Sequence, residues 1–73
     1  MTSQERLEIS ARLEEAVERI TGSPNNAEEH YERYLMSASQ ILDSEVYLYQ
    51  EDELYLYLRN YLEHKQLELG VTP

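Results

Sequence analysis

The sequence predicts an all-α domain, a small three-helix bundle with helices over about 3–21, 26–42 and 45–69. Three observations carry that expectation. Apolar residues recur mostly at helical spacing. Gly22-Ser23-Pro24-Asn25-Asn26 is the one clear breaker inside the chain. Capping residues stand where the helices should begin.

In the first segment, Thr2 with Glu5 three residues later forms a capping box. Ile9, Leu13, Ala16, Val17 and Ile20 share one face, and Leu7 and Ala11 widen the stripe. Glu8–Arg12 and Glu15–Arg19 are i,i+4 pairs in the favourable order. Gly22 is placed to end the helix as its C′ residue.

The second helix should start at Asn26, an N-cap with Glu29 at the third helical position; Glu28 and Glu29 complement the helix dipole. Ser23 with Pro24 is an alternative start. Its apolar face is Tyr31, Tyr34, Leu35, Ala38, Ile41 and Leu42, with Ser37, Ser39 and Gln40 on the other side. Asp43-Ser44 then reads as a joint or a fresh cap.

The third segment admits two readings. Leu48, Tyr55, Leu62 and Leu69 recur every seven residues, with Leu58 three after Tyr55, and Gly70 supplies a stop. That pattern favours one long helix. The lesser alternative is a short β-hairpin over 46–58, pairing Val46–Tyr49 with Leu54–Leu58. Against it, leucine alternates with tyrosine rather than with polar residues, and Gln50-Glu51-Asp52-Glu53 lacks the Gly or Asn that tight hairpins need.

With 73 residues, the chain is read as a single small helical domain over 1–73. There is no cysteine, so neither a disulfide nor a thiolate metal site can reinforce a small core. Self-association is a natural route to more burial, and a homodimer is expected. Fifteen acidic against six basic residues leave a net charge of −9. Residues 43–58 hold five acidic residues and no basic one. This balance argues against direct contact with nucleic acid or an anionic membrane. No apolar run approaches the length of a membrane span, and the N-terminus does not read as a signal peptide, so a cytoplasmic location is expected.

Catalytic and cofactor patterns are not found. His30 and His64 lie outside any Glu-x-x-His motif and have too few neighbouring ligands for zinc. Asp43-x-Glu45-x-Tyr47 lacks the fifth and sixth positions of a calcium loop. The serines have no nucleophile-elbow context, and the two glycines make no phosphate-cradling loop. Glu5, Glu8, Glu14, Glu15 and Glu18 read as a solvated face. No enzyme activity, cofactor or metal is therefore expected.

The most pointed functional signal is Val46 to Leu62, which holds five of the seven tyrosines in a chain without Phe or Trp. Tyrosine favours places where its ring is covered and its hydroxyl meets water or a partner, and it is a frequent interface anchor. A third helix with Leu54, Tyr55, Leu56, Tyr57, Leu58, Tyr61 and Leu62 is apolar around most of its circumference. The expected function is non-enzymatic: binding and regulating a partner protein with a basic or mixed apolar and basic surface. The expected contact residues are Tyr47, Tyr49, Leu54, Tyr55, Tyr57, Leu58 and Tyr61, extended by Tyr31 and Tyr34, with Glu51, Asp52 and Glu53 steering the partner's approach. The alternative is an acidic mimic of nucleic acid that blocks a basic site on an enzyme, a reading of composition shared with phage-encoded inhibitors.

Overall fold

A computed structural model describes residues 1–45 and 51–71, with Glu51 described by its backbone alone. It contains three α-helices: α1 (Ser3–Glu18), α2 (Ala27–Glu45) and α3 (Glu51–Leu69). Among the described residues there is no strand. Leu54–Leu58, the second arm of the alternative hairpin, is helical, while its first arm lies outside the described residues.

The predicted caps form where the backbone needs them. The Thr2 hydroxyl accepts from the Glu5 amide at 3.1 Å, and the Glu5 carboxylate accepts from the Thr2 amide at 2.8 Å. The same two partners hold the Glu5 carboxyl below its usual range. Asn26 caps α2 by accepting from the Glu29 amide at 2.8 Å. The Glu29 carboxylate turns to the Asn25 amide, at 3.2 Å. Pro24 lies in the connection, so the Ser23–Pro24 start is not used. At the end of α3, Gly70 takes a φ of +76°, and the Gly70 and Val71 amides bond to the carbonyls of Leu67 and Gln66 at 3.2 and 3.0 Å. That closes the helix by a Schellman motif.

Two boundaries differ from expectation. α1 stops at Glu18 rather than near Thr21; the Ile20 amide bonds to Val17, one residue tighter than an α-helical bond, as the chain leaves the helix. Gly22 therefore serves the connection and not the C′ position. Its φ of +83° turns the chain, and Arg33 donates to its carbonyl at 2.8 Å. α2 in turn runs straight through Asp43-Ser44. The Ser44 hydroxyl bonds back to the Ile41 carbonyl at 3.2 Å instead of capping a new helix. Glu45 is buried at the end of α2 and is paired with Arg12 of α1. Arg12 thus joins α2 rather than its expected partner Glu8.

The core consists of Ile9, Leu13 and Val17 from α1, Tyr34, Ala38 and Ile41 from α2, and Leu54 and Leu58 from α3. Leu7 and Ala11, expected to widen the α1 stripe, are exposed, so that face is narrower than its sequence suggests. Ser37, expected on the outer side of α2, is buried. On α3 the buried register is Leu54–Leu58, flanked by half-buried Tyr57, Tyr61, Leu62, Lys65 and Leu69. Tyr55, a member of the seven-residue repeat and one of the expected contact residues, is 52 % exposed. It sits about 100° around the helix from Leu54, on the flank of the core seam. The radius of gyration is 12.3 Å, slightly above the ~11 Å expected for this length, as suits a thin core in a molecule of 34 × 25 × 19 Å.

Candidate functional site

The three helices are locked on one side by a polar cluster. Glu14 of α1 accepts from the Tyr34 hydroxyl of α2 at 2.6 Å, from the Tyr61 hydroxyl of α3, and from Lys65 Nζ at 2.9 Å. Lys65 also pairs with Glu68 at 3.3 Å. Its ammonium lies 5.0 Å from the Tyr34 ring centroid and 5.8 Å from that of Tyr61. Glu14 was expected on a solvated face; it is half-buried at the meeting point of all three helices.

The electrostatics follow from that geometry. Burial acts to raise the Glu14 pKa, but the donors from Tyr34, Tyr61 and Lys65 outweigh it and hold the carboxyl below its usual range. Burial, then the adjoining Glu14 carboxylate, pushes the Tyr34 phenol up to about 12 and raises Tyr61 as well. For Lys65, burial works against the charged form, yet its bonds to Glu14 and Glu68 raise the pKa. Every shift moves its group away from neutrality. The cluster ties the three helices together as a clasp.

The clasp decides which tyrosines remain for other contacts. The hydroxyls of Tyr34 and Tyr61 are held by Glu14, and that of Tyr57 donates to the Arg6 carbonyl at 2.9 Å. Tyr31 and Tyr55 make no hydrogen bond through their hydroxyls among the described residues. Both face a groove of about 300 Å³ between α2 and α3. The α2 wall is Tyr31, Leu35, Ala38, Ser39 and Leu42; the α3 wall is Tyr55, Leu58, Arg59, Leu62 and Glu63. No α1 side chain lines it. α1 packs on the other face of the α2–α3 pair, bonded to Tyr34 of α2 and to Tyr57, Tyr61 and Lys65 of α3.

The expected contact residues therefore separate. Leu54 and Leu58 belong to the intrachain core, with exposures of 0 % and 4 %. Tyr57 and Tyr61 are half-buried and bonded internally. Tyr55 alone of the described set is exposed, and it faces the groove. Tyr47 and Tyr49 lie outside the described residues, as does the Glu51 side chain. Asp52 is exposed, and Glu53 pairs with the N-terminal ammonium at 2.9 Å. Leu35 and Leu42, from the expected apolar face of α2, and Leu62, from the seven-residue repeat, complete the groove although the sequence did not single them out as contact residues.

Among the described residues no group of three or more His, Asp or Glu side chains could hold a metal ion. His30 packs its ring 5.5 Å from that of Tyr34, while His64 is exposed. No helix among them is long and apolar enough to cross a membrane. Comparison with family models, characterised proteins and solved structures gives no match to this chain.

Proposed function

We propose that the chain is a non-enzymatic protein-interaction module that regulates a partner bound in the α2–α3 groove. The observation that carries this reading is a continuous apolar strip, from Tyr31 to Leu42 on one wall and Tyr55 to Leu62 on the other, that α1 leaves uncovered. Leu35 and Tyr55 are 39 % and 52 % exposed there. Among the described residues nothing covers this strip, and burying it on a partner would add to a thin core. Tyr31 and Tyr55 supply the aromatic area with hydroxyls available to the partner. Exposed Glu63 lines an apolar groove, an arrangement that suits steering of a protein partner better than imitation of a phosphate backbone.

Site-specific photo-crosslinking tests the reading. A photoreactive side chain at Tyr55 should trap a partner from cell extract, and the same group at Leu56 or Leu67, on the outer surface of α3, should not. Equal trapping at all three positions would remove the groove as the binding site. Light scattering on the purified chain then distinguishes a second copy from a different protein as the occupant. A mass that doubles in the wild type and stays single after Leu35→Ser/Tyr55→Ser identifies a homodimer through this face.

A further inference from the structure

Resting on the groove reading above, we infer that the occupant is a short cationic amphipathic helix of another protein. The groove is straight-walled because both walls are helices. Tyr31 to Leu42 spans about 17 Å, or three turns, which matches a partner helix of similar length. Such a helix would present apolar anchors at i, i+4 and i+7 to Leu35, Leu42, Tyr55 and Leu62.

The rim sets the sign of the partner. Helical spacing puts Glu32 and Asp43 on the outer edge of the α2 wall, and Asp52 and Glu63 on that of α3, and all four are exposed. Arg59 is the one basic residue at the lip, and it pairs with Glu63 at 3.5 Å. The rim is therefore anionic along both sides of an apolar floor. A helix with leucine-like anchors and lysine or arginine flanks meets both features at once. A second copy meets only the first. In a two-fold dimer each acidic rim would face its own image, in a molecule that already carries −9. Charge complementarity thus favours the cationic helix over self-association.

The probe is a synthetic helical peptide with a leucine face, lysine flanks and one tryptophan among the anchors. The protein has no tryptophan, so indole emission reports the peptide alone. Two controls carry glutamate flanks, or the lysine composition with the apolar stripe scrambled. The lysine peptide should bind with a blue shift, about tenfold or more tighter than either control, and weaken with added salt. Leu35→Ser/Tyr55→Ser should abolish the blue shift, and Glu32→Gln/Asp43→Asn/Glu63→Gln should weaken binding without abolishing it. Circular dichroism and urea unfolding of each variant confirm that the bundle is intact.

If lysine and glutamate peptides bind equally, and both need Leu35 and Tyr55, the cationic partner is overturned while the groove stands. If the scrambled peptide binds as well as the ordered one, or the serine variant binds as well as wild type, the groove reading falls with it. A salt-insensitive dimer of the free protein that is lost in the serine variant would assign the groove to a second copy and overturn the inference.

Discussion

Glu14 shows how much a single residue can be redirected by its neighbours. In the sequence it is one of five α1 carboxylates; in the fold it collects a tyrosine from each of the other helices and a lysine. A carboxylate with three donors stays ionised, and each donor loses a partner if it is removed. Tyr61→Phe and Glu14→Gln should each lower the unfolding free energy by about 1–2 kcal/mol. Because they act on one network, the double variant should cost clearly less than the two singles together. A urea-unfolding cycle over the four proteins measures this. Strict additivity would mean that Tyr61 and Glu14 do not share a bond in solution.

At the scale of the element, the caps place the helices and the tertiary contacts trim them. Asn26, and not Ser23, holds the α2 amides. Asn26→Ala should therefore cost about 1 kcal/mol, while Ser23→Ala should fall within about 0.5 kcal/mol of wild type. Thermal unfolding followed by circular dichroism distinguishes them, and the reverse order would move the start of α2 upstream. The ends obey longer-range demands. α2 runs past its expected stop to Glu45, which reaches Arg12, and α1 ends where the Ile20 amide turns to Val17, with Arg33 holding the connection at Gly22. On α3, the register turns so that Leu54 and Leu58 fill the seam while Tyr61 and Lys65 reach Glu14. Tyr55 is thereby rotated out of the seam into the groove.

The whole molecule should respond unequally to acid and base. Tyr34 has its pKa raised from 10.0 to about 12 in the fold, and Tyr61 and Lys65 are raised too. A group bound more tightly by its proton in the folded state supports folding fully below its unfolded pKa. That support is lost as pH rises through the folded value. Stability should therefore decline from about pH 10 towards about pH 12. Glu14 works in the other direction, its contribution being present above 4.5 and lost as pH falls through its lowered folded pKa. Protonating carboxylates also relieves the self-repulsion of a −9 chain down to its pI of about 4.5, whereas ionising tyrosines adds to it. Between the pI and about pH 12 the alkaline limb should consequently be the steeper one in urea midpoints. A flat curve above pH 10 would mean that Tyr34 and Tyr61 ionise in the fold as they do in the unfolded chain.

The first two helices, the caps at Thr2 and Asn26, the stop at Gly70 and the central stripes Ile9–Leu13–Val17 and Tyr34–Ala38–Ile41 were determined by the sequence alone. They depend on neighbours within a turn or two, where spacing and hydrogen-bond chemistry act locally. Which of two adjacent apolar rows on α3 turns inward was decided only by the tertiary structure, because Leu54 and Tyr55 are equally apolar in their local context. The same holds for the destination of the tyrosines. Glu14 lies 20 residues from Tyr34 and 47 from Tyr61, so no local pattern reveals that their hydroxyls converge on it. The groove follows from both decisions: apolar arcs on α2 and α3 wider than one neighbour can cover, and an α1 that packs on the other face of the α2–α3 pair.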